Sequence, residues 1–284
     1  MDQETRLHAA ALGDQLTAVV NAYLTKHKLG GTVHYDMKLK PAPQATSVTV
    51  NRKELLKALT AVKVAVSREQ ARYYMNGVLL QVRGEVVNVV ATDGHRLIHG
   101  EVKCSKARHN VECIVDDRRV KGRMRALTGL KILIETLKGW RAQFIDLAIS
   151  ADACSVNGHR VDVIESTYPD WTRVLPQTDT VQGSIIMPVE QVKAFCKAAL
   201  NENKSTYFTG VKFVNNNNYG ECHDLRIQIT AQTGQVQFGI NERYLLDFVG
   251  NAKGDVTIVQ YDHNGPLDLQ LSDRYRRVFM PMRV

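Results

Sequence analysis

Asp93, Gly94 and His95 set an acid and a base two residues apart, a pairing that could move protons if both side chains met one substrate. Residues two apart on a strand share a face but stand well separated along it, and a glycine between them suits a tight turn, so a structural turn is the preferred reading. Asp116-Asp117 could offer two carboxylates to a cation. They stand directly before a run read as a helix, where acidic residues favour the positive end of the dipole, so capping is expected instead. Glycine-rich phosphate loops, HExxH and Cys-x-x-Cys are missing from the sequence, which weighs against nucleotide, hydride and zinc enzymes. No catalytic residue, metal site or cofactor is expected.

Cations carry more information. Arg118-Arg119-Val120-Lys121-Gly122-Arg123-Met124-Arg125 holds five cations in eight residues and no acid. On a helix from Arg118 to Leu127, Arg118, Lys121 and Arg125 form one stripe opposite Val120, Met124 and Leu127. Such a stripe suits a phosphate backbone, although a merely solvated basic face has the same pattern. Lys193 and Lys197, four apart, repeat the arrangement on a second helix. Beyond Tyr73-Tyr74 there is no aromatic platform for single strands. Backbone contact without base reading is therefore expected.

The elements that would position these groups come in two similar sets. Lys53 to Val66 reads as a helix, followed by Tyr73-Tyr-Met-Asn-Gly77 and by valine-rich strands at 78–82 and 86–91. Later, Glu190 to Leu200 is helical, Tyr207-Phe-Thr-Gly210 replaces the aromatic turn, and 211–214 and 225–231 are strand-like. Each half gains a second helix: 118–127 ending before Gly129, and 244–249 capped by Asn241 and stopped by Gly250. The tetrad Asn215 to Asn218 reads as a hairpin tip. Residues 3–27 form an N-terminal helix, 32–39 a short strand, and Pro41 to Ser47 a linker. These readings predict an α+β chain: an extension at 1–46, one domain at 47–179 and a second copy at 180–284.

The 284 residues allow about two domains of ordinary globular composition, with 44% hydrophobic residues. Lys and Arg number 37 against 29 Asp and Glu, a net +8 that points to an anionic partner. No apolar run approaches the length of a membrane span and no leader is visible, so no membrane partner is expected. Five unpaired, unclustered cysteines suit a reducing cytoplasm, and the Asn203-Lys-Ser tripeptide is a chance acceptor match.

Four strings in order resemble the bacterial DNA polymerase III beta sliding clamp family: Arg72-Tyr-Tyr-Met-Asn-Gly77, Val90-Ala-Thr-Asp-Gly-His-Arg-Leu97, Tyr168-Pro-Asp-Trp-Thr-Arg-Val-Leu-Pro176 and Met280-Pro-Met-Arg-Val284. The resemblance covers about residues 47–284 and matches the second and third of the family's three domains. It implies a DNA-clamp fold, with helices lining a channel and antiparallel sheets outside. It also implies a processivity factor around double-stranded DNA, without enzymatic activity. Because a two-domain chain reaches the family's six repeats only in threes, a homotrimer is expected.

Family clamps recruit the polymerase and the clamp loader through short peptides that enter an apolar cleft. Carried over by position, that cleft comprises Met75, Thr92, Gly94, His95, Arg96, Leu97, Pro169, Arg173, Val174, Tyr244, Val278, Met280, Pro281 and Met282. Methionine and leucine would form its floor, while Arg96 and Arg173 would hold polar parts of the peptide. Val284 stands at the rim where a larger aliphatic is usual. The DNA face carries over as Arg72, Tyr73, Tyr74, Arg118, Lys121 and Arg125, with Lys193 and Lys197 added from their spacing. The competing reading is a non-encircling, clamp-like adaptor that keeps the cleft and competes for the same peptides.

Overall fold

A computed structural model describes residues 45–118, 128–176, 180–202, 210–214, 218–222 and 224–282. The chain divides into two compact units, Met1–Gln44 and Ala45–Val284; the N-terminal helix and strand expected from the sequence lie outside the described residues. The second unit is mixed α and β, as the composition and repeats predict.

Among the described residues, four α-helices carry the apolar faces: α1 (Arg52–Val62), α2 (Gly129–Gly139), α3 (Val189–Glu202) and α4 (Glu242–Val249). Helix α1 packs on α2 and α3 packs on α4, giving each half one helix pair. Asn51 starts α1 by accepting from the amides of Lys53 and Glu54, and Asn241 does the same for α4 through Arg243 and Tyr244. Arg52 is buried because its guanidinium donates to the carbonyls of Leu137 and Ala142 at 2.6 and 2.8 Å, closing the C-terminal end of α2.

Helix α2 corrects the sequence reading. Gly129 is not a terminator but the first residue of a helix, with Thr128 as its cap. Arg118 is not helical, and 119–127 lie outside the described residues. The acidic pair acts differently from the expected cap: Asp117 accepts from Thr128 Oγ1 at 2.6 Å, while Thr128 itself accepts from the Lys131 amide. Asp116 instead binds Arg118. Two strand boundaries also shift. Thr46 and Ser47, read as linker, open the strand Thr46–Asn51, and the single strand expected at 225–231 is two, Leu225–Gln228 and Ala231–Gly234, in different sheets.

Each half has a four-stranded sheet of its own, and one ten-stranded sheet runs through both. In the large sheet the order is Ala231–Gly234, Gly183–Pro188, Asp255–Gln260, Leu267–Gln270, Arg276–Phe279, Arg96–Lys103, Val86–Thr92, Gly77–Arg83, Val111–Asp116 and Val163–Ile164. The seam between halves is thus a regular antiparallel ladder that sets Arg276 opposite His99 and Val278 opposite Leu97. Gly100 lies at this seam because a Cβ there would stand 2.7 Å from the Tyr275 ring. One face of the sheet joins the helices in the main core. Its other face carries a smaller cluster of Leu79, Val90, Leu97, Ile114, Ile164, Tyr168, Trp171 and Val278.

His99 occupies that second face. Its ring lies tilted against Trp171 with ring centres 4.4 Å apart, and its Nε2 lies 2.9 Å from Asn88 Oδ1. Burial holds its pKa below the usual 6.5, with Glu101 opposing the shift and Arg276 adding to it. The unfolded chain therefore binds more protons than the folded one just below pH 6.5, and stability must rise with pH through that window. Urea unfolding at a series of pH values should show stability falling as pH drops below about 6.5, with a shallower slope in His99→Gln.

Candidate functional site

A short turn begins the site. Asp93 Oδ1 accepts from the amides of His95 and Arg96, and Gly94 takes φ +89°, a left-handed value that suits glycine. The expected structural turn is present, and Asp93 spends both carboxylate oxygens within it: Oδ2 accepts from Arg96 Nε at 3.0 Å. Thr92 tightens the same corner, donating its hydroxyl to the Arg96 carbonyl and receiving the Gly94 amide.

From Tyr168 to Val174 the chain crosses the smaller apolar cluster. The Tyr168 hydroxyl accepts the Thr92 amide at 3.0 Å, and burial pushes its pKa up. Asp170 then starts a 3-10 turn, Trp171–Val174, by accepting from Thr172. That hydrogen bond holds the Asp170 carboxyl below its usual range.

Between this segment, the Asp93 turn and the C-terminal strand lies a cavity of about 120 Å³. It is lined by Met75, Thr92, Gly94, His95, Arg96, Leu97, Pro169, Val174, Val278 and Met280 from the sequence-derived set, together with Asp170 and Trp171. Val174 and Met280 keep exposed apolar surface at its mouth, 38% and 44% exposed. Both halves contribute to it across the seam.

The other four expected cleft residues lie outside the lining. Tyr244 stands beside it, stacked 6.4 Å from His95 and under the Arg96 guanidinium, whose carbon is 4.2 Å from its ring centre. Met282 exchanges backbone hydrogen bonds with Gly239, and a Cβ on Gly210 would come within 2.7 Å of its sulfur. Pro281 links it to Met280. Arg173 is 83% exposed and paired with Asp170 at 3.3 Å. Val284 lies outside the described residues.

These features have close relatives among known proteins. Residues 49–170 match the family described as DNA polymerase III beta subunit, central domain. The beta sliding clamp of Escherichia coli K12 is 25% identical over 259 residues, covering 85% of this chain, and that of Proteus mirabilis is 26% identical over 263 residues. The chain is thus similar to the DNA polymerase III beta clamps, through the matched central domain and these relatives. It spans 64% of the length of the E. coli relative and 65% of the P. mirabilis one. Among solved structures, the Thermotoga maritima beta subunit superposes with a TM-score of 0.70 at 17% identity, covering 89% of this chain and 70% of its own. A Pseudomonas aeruginosa clamp solved with griselimycin bound gives 0.70 at 21%, covering 89% and 70%.

Within this clamp fold Arg96 has a structural task as well as its place in the cavity lining. Its side chain is 8% exposed, and its donors are taken by Asp93, by Asp247 at 2.8 Å and by the Val64 carbonyl at 2.6 Å. It ties the halves together through Asp247.

Among the expected DNA contacts, Arg72 forms a two-pronged pair with Glu69 at 2.7 and 2.8 Å, which holds the Glu69 carboxyl below its usual range. Tyr73 and Tyr74 meet edge to face at 5.9 Å, with Tyr73 46% exposed. Arg118 pairs with Asp116 at 2.7 Å. Lys193 donates to Glu190 and to the Ala252 carbonyl, while Lys197 is exposed. Lys121 and Arg125 lie outside the described residues. Among those described, no group of three or more metal-binding side chains occurs, and no helix is long and apolar enough to cross a membrane.

Sequence reasoning missed Asp170 and Trp171 although both stand inside a string it singled out. The aromatic flanked by Tyr168 and Val174 was the available signal. Removing the seam's cation tests its part: Arg96→Met should lower unfolding free energy by about 3 kcal/mol in urea, because Asp93 and Asp247 would lose a partly buried counter-charge. Arg96→Lys should recover little, since one ammonium does not reach three acceptors in a plane.

Proposed function

We propose that this chain is a DNA sliding clamp, a processivity factor without catalysis of its own, which recruits polymerase and clamp loader through peptides entering the cavity between its halves. The observation that carries the reading is the apolar cleft built across a hydrogen-bonded seam, in a chain similar to the beta clamps. Its floor offers Leu97, Trp171, Val278 and the buried Met75, and its mouth offers Val174 and the adaptable Met280, a surface suited to leucine- or phenylalanine-bearing segments. The griselimycin complex of the P. aeruginosa clamp supports ligand binding by such a fold. The fourteen cleft residues named from the sequence form the proposed site, with Asp170 and Trp171 added.

Duplex DNA is the proposed anionic partner, met by Arg72, Tyr73, Tyr74, Arg118, Lys121, Arg125, Lys193 and Lys197 without sequence reading. A net charge of +8 per chain favours such contact, and its affinity should fall with salt by a log–log slope of about 0.9 per phosphate engaged. The proposed assembly is a homotrimer of two-domain chains, split at 47–179 and 180–284, closed head to tail. Its proposed compartment is the cytoplasm, which five free cysteines suit.

Light scattering should give the mass of three chains, and the protein should stay on nicked circular DNA but slide off after linearisation. A monomeric mass with no such difference would favour the non-encircling adaptor. In either assembly, Tyr244→Ala with Met282→Ala should weaken a leucine-phenylalanine peptide by about 1–3 kcal/mol in an anisotropy titration.

A further inference from the structure

The cleft occupies part of a longer row of side chains. Strand register sets Thr92 opposite Leu97, Leu97 opposite Val278, Val278 opposite Asp268 and Asp268 opposite Val259. Directly opposed residues of an antiparallel ladder share a face, with Cβ atoms about 4.5–5.5 Å apart. Thr92, Leu97 and Val278 line the cleft. Asp268 is the next place in the row, and it is a carboxylate only 6% exposed between two valines.

Its two oxygens are unequally provided for. Oδ2 lies 3.4 Å from Gln270 Nε2 and 3.9 Å from an Arg276 guanidinium nitrogen, both long contacts. The Tyr261 hydroxyl also hydrogen-bonds the carboxylate, its pKa raised first by burial, then by the Asp268 charge and this bond, with Arg276 opposing. Oδ1 has no hydrogen-bond partner. A buried acceptor left in this state carries its desolvation cost without return.

We infer that Asp268 is a specificity determinant of the cleft, selecting partner segments that carry a lysine or arginine beside their apolar anchor. This deepens the peptide-cleft reading and stands on it. The anchor covers Leu97, Trp171 and Val278, and a cation next to it supplies the donor that Oδ1 lacks in a charge-assisted hydrogen bond. A neutral aliphatic side chain at the same place seals the unpaired oxygen further from water. Discrimination thus comes from a penalty on the wrong segment as well as from attraction to the right one.

The test uses two series of short labelled peptides built on one leucine-phenylalanine anchor, with lysine or norleucine at each flanking position in turn. Both are titrated by anisotropy against the full chain and Asp268→Asn. At one flanking position lysine should bind about fivefold or more tighter than norleucine, and Asp268→Asn should cut that advantage below about twofold, both by weakening the lysine peptide and by tightening the norleucine one. Should Asp268→Asn melt below the assay temperature, Arg276→Gln serves instead, and removing this competing cation should enlarge the lysine advantage. Equal binding of lysine and norleucine peptides at every position overturns the inference alone, as does a lysine preference that Asp268→Asn leaves intact. Failure of both series to bind overturns the cleft reading, and the inference falls with it.

Discussion

A single guanidinium at the seam has to satisfy a turn, a helix end and a second half of the molecule at once. Arg96 bonds Asp93 in its own turn, the Val64 carbonyl just beyond α1, and Asp247 on α4, and it lies flat over Tyr244. An almost buried cation is tolerable only when each such demand is met, because desolvation is large and one missing partner leaves it uncompensated. The planar fork of arginine meets carboxylate, carbonyl and ring in fixed directions, so it specifies geometry as well as contact. The Asp93 turn, the pose of α4 and the wall of the cleft all inherit their positions from it. Phe248 and Phe279, 4.3 Å apart, add the apolar packing beside it.

Much of the fold was legible because its signals were local. Asn51 and Asn241 precede amphipathic runs, and both are caps. Gly94 between an acid and a base marks a turn whatever the fold around it. Gly129 shows where local reading stops. A glycine after Leu127 is as good a terminator as an opener, and Leu130, Leu133, Ile134 and Leu137 decide it only once their shared face is weighed against the basic run before them. The break between Leu225–Gln228 and Ala231–Gly234 was equally hidden, since strand composition does not say which sheet a strand joins. Most of the cleft came from ordered strings and not from any residue's chemistry, and Trp171 escaped while lying inside one of them.

Charge arithmetic had a similar limit. A surplus of cations predicts an anionic partner, yet Arg72, Arg118 and Lys193 each hold an acid of the same chain. Exposed pairs of this kind are weak, typically below about 1 kcal/mol. In the proposed DNA contact a phosphate would exchange with the acid, the local pair setting only the resting pose of each side chain.

The seam has a consequence for how the molecule comes into being. Arg96–Lys103 pairs with Arg276–Phe279, so a strand in the first half waits for one made long afterwards. During synthesis it remains an unpaired edge with Leu97 bare beside it, an open template for another chain. Contacts of such sequence separation form late and slowly. The cleft does not exist until Val278 and Met280 arrive, so under the proposed function partner capture would belong to the finished seam, and a half-made chain would have nothing to compete with.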